Sequence, residues 1–343
     1  MTEPSSRASS RFFERITSDD ETLRRLLPFA SVAELDAIRR LAQPVALDLE
    51  EWSCQWPAID PSTIVPITLI NVVDLHELPV SSIALRARET LWTFALDDLL
   101  DRTGAAADPP TEVLTECLAV ACATDAASPC SELARCLDNI RRDLAQYPQF
   151  PRLHPVWAAS LSRVFDGMMY EYWVARREEI LSPVRSLPSL LEYLFFSHSS
   201  IALTHVWMTG LIVGPDEIEW SILTKLYLLA EQCGVAMRLA NDWSTFSRER
   251  IEGRVNAVTI EAANLSGYTG EPNEDVVHQA RGRLAAMARE EQRKAEDIAA
   301  SLQPANSVSK RFVRTTQFGV ELYLRGDFRG WVDQIAERNG GTS

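Results

Sequence analysis

The chain has no excess of basic charge. Its 34 lysines and arginines face 48 aspartates and glutamates, a formal net charge of −14. Nonspecific binding to nucleic acid or to an anionic membrane needs a basic surface, so neither partner is expected. An anionic small ligand stays open, because bound divalent cations reverse the local field. Long hydrophobic runs are missing too. The most apolar stretch, Ile64–Val73, is short and broken by Pro66, against the ~20 apolar residues of a spanning helix. The six cysteines form no C-x-x-C pair, and a chain of 343 residues can bury a core without staples. They read as reduced, mostly buried thiols. The opening MTEPSSRASSR has no apolar h-region. Residues 1–10 therefore read as a disordered arm, residues 340–343 as a frayed tail, and the protein as cytoplasmic.

Strands are equally hard to find. Leu69–Asp74 has β propensity, yet its neighbours favour a helix. Apolar residues recur at helical spacing from Arg11 onward, with Ser31 and Glu34 spaced as a capping box. Ser81–Arg102 reads as a long helix stopped by Gly104. Further helices are expected over 112–123, 131–144, 155–181, 220–246, 275–302 and 307–324, with a final one at 331–338. Pro215 suits the first turn of the 220–246 helix. Leu190–Leu211 carries few charges and is expected to be central and buried. There is no internal repeat of 20–50 residues. The expectation is one all-α domain over residues 11–339, with about ten to twelve helices.

Two oxygen-rich clusters interrupt this pattern. In LANDWSTFSRE, Asn241, Thr245 and Glu249 stand four residues apart. Each four-residue step is one turn plus about 40°, so the three side chains share a stripe roughly 12 Å long. Hard-oxygen donors so arranged suit Mg²⁺, although a solvated polar face would have the same spacing. The second cluster, Asp97, Asp98 and Asp101, ends the apolar run LWTFAL. Asp97 and Asp101 repel one another at i, i+4, and the helix dipole disfavours both at a C-terminal end. A cation bound between them removes both objections; a solvated helix end is the plain alternative. Two acidic sites facing one apolar cavity suit a substrate with a diphosphate head and a hydrocarbon tail.

With these motifs the sequence resembles a bacterial class I terpene synthase. Asp97–Asp98–Leu99–Leu100–Asp101 matches the family's DDxxD motif, and Asn241 to Glu249 matches its Asn–Ser/Thr–Glu triad. The resemblance implies a bundle around a deep apolar cavity and three Mg²⁺ ions. Asp97, with Asp101, would ligate two, and Asn241, Thr245 and Glu249 the third. Arg248, before the triad's Glu, would donate to the diphosphate, and Asn256 in EGRVNAV resembles the segment following the triad. Three positions depart from the pattern. The family's diphosphate-sensing arginine is absent from Tyr193–Leu194–Phe195–Phe196–Ser197–His198, which leaves His198 as the nearby donor. Ala202 stands where a glycine effector is usual, and Arg338–Asn339 replaces an Arg–Tyr pair.

The implied reaction is that of a carbon–oxygen lyase. A linear prenyl diphosphate is ionised and cyclised, and diphosphate leaves on Mg²⁺, Arg248 and Arg338. Geranylgeranyl diphosphate is the favoured substrate and farnesyl diphosphate the alternative. Aromatic faces stabilise cations by about 0.5–2 kcal/mol each. Phe94, Tyr170, Phe195, Phe196, Trp207 and Trp331 are the candidates, each more readily read as core. His205 is a candidate for proton removal. A homodimer is allowed. Two rivals share the fold: a chain-elongating prenyltransferase, which would carry a second aspartate-rich motif, and a non-catalytic helical isoprenoid-binding protein.

Overall fold

Ser31 and Glu34 form the capping box that their spacing predicts. Ser31 Oγ accepts the Glu34 N–H at 3.3 Å, and Glu34 Oε2 accepts the Ser31 N–H at 2.6 Å. In the computed structural model, which describes residues 8–103, 109–123, 128–180, 187–215, 217–267, 273–302 and 307–326, this box starts α3 (Val32–Ser53). Before it come α1 (Ala8–Thr17) and α2 (Asp20–Leu26). After it follow α4 (Ile64–Leu75), α5 (Val80–Thr103), α6 (Thr111–Cys122), α7 (Glu132–Leu144) and α8 (Phe150–Ile180). Then come α9 (Leu190–Ser197), α10 (Leu203–Val213), α11 (Trp220–Ile251), α12 (Ala257–Ser266), α13 (Glu274–Ser301) and α14 (Ser307–Tyr323). No strand occurs among the described residues. The fold is therefore all-α, with more helices than the ten to twelve expected. The predicted helix at 331–338 and the tail lie outside the described residues.

Three differences from the sequence reading have physical causes. The arm expected through residue 10 is already helical at Ala8. The buried Glu50 carboxylate accepts the Ser9 and Ser10 N–H groups at 2.7 and 3.2 Å and satisfies the first turn of α1. The stretch 190–211, expected to be central and buried, is buried only in part. A 3₁₀ turn at His198–Ile201 and Ala202, at φ 58°, separate α9 from α10. Only α10 is buried throughout, while α9 exposes Leu191, Phe195 and Phe196. The cysteines divide evenly rather than being mostly buried: Cys117, Cys136 and Cys233 are inside, and Cys54, Cys122 and Cys130 are exposed.

The buried apolar side chains form one continuous cluster. α5, whose apolar residues carry Asp97 at their end, packs on α3, α4, α7 and α10. α11 packs on α10, α12, α13 and α14. The two helices with the oxygen clusters thus both pack on α10. Among the described residues no helix is long and apolar enough to cross a membrane.

The same capping box ties the two ends of the chain together, because Arg314 Nε on α14 reaches Glu34 Oε1 at 2.6 Å. Burial raises the Glu34 carboxyl, but Arg314 and the Ser31 groups outweigh it and hold it below its usual value. A lowered carboxyl stabilises the fold above its unfolded pKa, and that contribution is lost as pH falls through the folded value. Glu34→Gln is expected to lose about 1–2 kcal/mol near pH 7. In urea melts, the gap from wild type should close as the pH drops below the ordinary glutamate range.

Candidate functional site

An inner pocket of about 80 Å³ lies where α5, α8, α11 and the 3₁₀ turn converge. It is lined by Thr93, Phe94 and Asp97 of α5, Glu171 of α8, Ser200 and Ile201 of the turn, and Tyr323 of α14. α11 adds Arg238, Asn241, Thr245, Arg248 and Glu249, and Arg254 follows it. Three carboxylates and three guanidinium groups therefore share one small space. An outer pocket of about 760 Å³ shares Asp97, Glu171, Glu249 and Arg254 and adds Asp60, Asp98 and Glu252. Its apolar wall is Pro57, Ile59, Pro61, Leu100, Met168 and Val255.

The two motifs thus meet. Asn241, Thr245 and Glu249 point into the inner pocket from one side and Asp97 from the other. Asp98, a helical step of about 100° on, reaches only the outer pocket. The Asp101 side chain lies outside what the structure describes, as do Arg338 and Trp331. Thr245 Oγ1 donates to the Asn241 carbonyl at 3.0 Å, which turns its lone pairs away from its own helix. Among the described residues no three His, Cys, Asp or Glu side chains gather into a metal cluster. The facing donors are instead a mixed set of carboxylate, amide and hydroxyl oxygens. That chemistry fits Mg²⁺, which binds through one or two carboxylates plus water and substrate phosphate rather than in all-protein cages.

Most of the other expected site residues lie elsewhere. His198 stands apart from the pockets. Its Nδ1 is 2.9 Å from the Leu194 carbonyl, its Nε2 is 3.0 Å from Glu231 Oε2, and it lines neither pocket. Trp207 is fully buried and stacks on Phe312 at 3.7 Å, so it is core. Phe195 and Phe196 are 61% and 43% exposed on α9, and Tyr170 stacks on Phe196 at 4.7 Å. Of the expected aromatics among the described residues, Phe94 alone lines the inner pocket. His205 is core as well, fully buried between Ser160 Oγ at 2.9 Å and Glu89 Oε1 at 3.1 Å.

The residue that sequence reasoning missed is Arg238. Its guanidinium is buried, yet it lines the inner pocket. Nη1 donates to Glu171 Oε1 at 2.7 Å and Ser200 Oγ at 3.0 Å, Nε lies 2.8 Å from Asp242 Oδ1, and Nη2 meets the Tyr193 hydroxyl. Burial works against its charge, but Asp242, Glu171 and Tyr193 outweigh that and hold it firmly protonated. Burial likewise pushes the Glu171 carboxyl up, with Arg238 opposing it. The signal was present: Arg238 stands one turn before Asn241 and at i, i+4 to Asp242. Glu171 had no such signal, since α8 reaches the pocket only through the fold. Arg254 was also missed; its Nε is 3.2 Å from Glu252 Oε2, which Arg248 Nη1 shares at 3.4 Å.

The sequence profile described as terpene synthase family 2, C-terminal metal binding, matches residues 90–290, more than half of the chain and spanning both motifs. The chain belongs to that family. This terpene synthase is 27% identical over 305 residues to ent-pimara-9(11),15-diene synthase of Streptomyces sp. strain KO-3988, covering 86% of the chain and 94% of the relative. Over 107 residues it is 32% identical to ent-kaurene synthase-like 1 of Ricinus communis, covering 31% of the chain and 14% of that relative. In fold it is similar to 2-methylisoborneol synthase of Streptomyces coelicolor, solved with Mg²⁺ and 2-fluoroneryl diphosphate. The TM-score is 0.66 at 16% identity, over 87% of this chain and 92% of that one. Linalool/nerolidol synthase of Streptomyces clavuligerus matches with a TM-score of 0.61 at 14% identity, over 86% and 98%.

The turn that carries Ser200 to Arg238 depends on two small residues. A Cβ on Gly167 of α8 would fall 2.7 Å from the Ser200 backbone nitrogen. Ala202 holds a left-handed conformation that costs an L-residue about 1 kcal/mol or more. Gly167→Ala is expected to lower stability by about 1–3 kcal/mol through overpacking. Ala202→Gly should be neutral or stabilising by up to about 1 kcal/mol. Thermal melts of both variants check the pair, and the reverse order would contradict this account of the turn.

Proposed function

We propose that this terpene synthase is a Mg²⁺-dependent class I cyclase that ionises a C20 prenyl diphosphate, with geranylgeranyl diphosphate its substrate, and releases diphosphate. The observation that carries the reading is the inner pocket. Asp97 faces Asn241, Thr245 and Glu249 across it, with Arg238, Arg248 and Arg254 on the same walls. The name of the curated relative, an ent-pimaradiene synthase covered over 94% of its length, supports a C20 substrate.

When bound, Mg²⁺ ions supply Lewis-acid stabilisation of the leaving diphosphate. Asp97 on one wall and Asn241, Thr245 and Glu249 on the other would hold them, three ions on the family's pattern. Arg248 and Arg254, both tethered to Glu252, donate to the diphosphate from the rim. Arg238 donates from the inner pocket and takes the part expected of His198. Its geometry is set beforehand by Glu171, Ser200, Tyr193 and Asp242, so little reorganisation is needed as charge develops on the leaving oxygen. As the allylic C–O bond breaks, its electron pair leaves with the diphosphate, and Phe94 presents a ring to the cation. The cascade ends when the cation loses a proton or takes up water. The inner pocket is small, about 80 Å³, and the adjoining outer pocket of about 760 Å³, with its apolar wall, offers the room an isoprenoid tail needs.

A second substrate is favoured by the two curated names, both of polycyclic ent-diterpene enzymes. It is a C20 diphosphate already closed into two rings by a separate, protonation-initiated cyclase. Purified protein incubated with farnesyl, geranylgeranyl and bicyclic labdadienyl diphosphates, with and without Mg²⁺, decides among them by mass spectrometry. A C20 terpene formed only with Mg²⁺ is expected. A C15 product alone would move the assignment to a sesquiterpene cyclase, and no Mg²⁺-dependent diphosphate release from any of them would overturn the proposal. Asn241→Ala and Glu249→Ala should each cut turnover at least about 100-fold, or about 2.7 kcal/mol of barrier, with unchanged melting temperature.

A further inference from the structure

Between α11 and α12 sits a fully buried asparagine whose side-chain amide is engaged through both its oxygen and its nitrogen. Asn256 is the N-cap of α12. Its Oδ1 accepts the Val258 N–H at 2.7 Å and the Thr259 N–H at 3.4 Å. Its Nδ2 donates to the Asp242 carbonyl at 2.9 Å and to Glu249 Oε2 at 3.1 Å. The capping contacts fix which way the amide faces: the oxygen must meet the α12 N–H groups, so the NH₂ must meet Asp242 and Glu249. The site asks one short side chain to accept on one side and donate twice on the other. An aspartate can only accept, and a serine has a single proton. Asparagine is the residue that satisfies all the partners.

Glu249 lines both pockets, yet one of its oxygens is held by this amide. α11 ends two residues later at Ile251, where a helix normally frays. A ligand in the last turn of a helix needs an external tether to keep its carboxylate aimed. A second link supports the same joint, since Asp242 Oδ2 accepts the Ala257 N–H at 2.7 Å while Asp242 Oδ1 pairs with Arg238. The start of α12 is thus pinned to α11 at two points, one beside the carboxylate and one beside the buried guanidinium.

We infer that Asn256 is a positioning residue for the metal site: its amide orients the Glu249 carboxylate, while its capping oxygen locks that amide to α12. The inference rests on the reading of Glu249 as a Mg²⁺ ligand. Groups that orient a ligand typically contribute 10–100-fold to metal affinity. The test uses the full chain and two neutral variants. Asn256→Ser keeps a capping oxygen and Asn256→Gly caps within a few tenths of a kcal/mol, but neither can reach Glu249 with an amide. Mg²⁺ is titrated calorimetrically in the presence of inorganic diphosphate, and the melting temperature is taken without metal. The variants should melt close to wild type and bind Mg²⁺ about ten-fold or more weakly. In a Glu249→Gln background the same substitutions should cause no further loss, because the amide then has no ligand to aim.

Wild-type Mg²⁺ affinity in a folded Asn256→Ser or Asn256→Gly protein would overturn the inference alone. So would a loss that adds in full to that of Glu249→Gln, since it would mean that Asn256 acts only through the stability of α12. No Mg²⁺ uptake by wild-type protein with diphosphate would instead sink the metal-site reading, and the inference with it.

Discussion

The Arg238 guanidinium is the charge around which the site is assembled. It is buried, and burying an unpaired cation costs several kcal/mol, so its surroundings must answer it. Glu171 comes from α8, Ser200 from the 3₁₀ turn, Tyr193 from α9 and Asp242 from its own helix. Three stretches of the chain, α8, α9 with the turn that follows it, and α11, are therefore drawn to one point. Removing the arginine would strand the buried Asp242 carboxylate and the half-buried Glu171, at a cost of about 3–5 kcal/mol, so it holds the site together as well as facing the pocket.

From that point the remaining geometry follows along the helices. Asn241 lies one turn beyond Arg238, and Thr245 and Glu249 follow at four-residue steps, so the stripe starts at a fixed place. Asp242, pushed up by burial and pulled down by Arg238, uses its second oxygen to hold the start of α12. α12 in turn presents Asn256 to Glu249. Opposite, α5 brings Asp97 to the same pocket because its apolar residues anchor it in the core.

How much of this was legible beforehand differs by residue. Asp97, Asn241, Thr245 and Glu249 could be found because helical periodicity turns spacing into a face, and a face can be read from one segment. The all-α class, the capping box at Ser31 and the outlines of α13 and α14 were legible for the same reason. Phe195 and Phe196 were misplaced because apolarity does not say which side of a helix meets the core. The break at Ala202, between α9 and the buried α10, carries no glycine or proline to announce it. His198 was assigned by elimination, although its choice of Glu231 over the pocket is a tertiary contact that no spacing encodes. Arg238 was within reach of a spacing argument, but a charged residue in an apolar run reads first as exposed. Only its partners on α8 and α9 show that it is inside.

The central claim is that α5 and α11 form two halves of one divalent-cation and diphosphate site. Diffraction from crystals soaked in Mn²⁺ and inorganic diphosphate, recorded near the manganese absorption edge, tests it most directly. Anomalous peaks beside Asp97 and within reach of Asn241, Thr245 and Glu249, with a diphosphate between them contacting Arg238, are the predicted result. Ordered diphosphate lodged at His198, or manganese absent from both helices at saturating concentration, would contradict it.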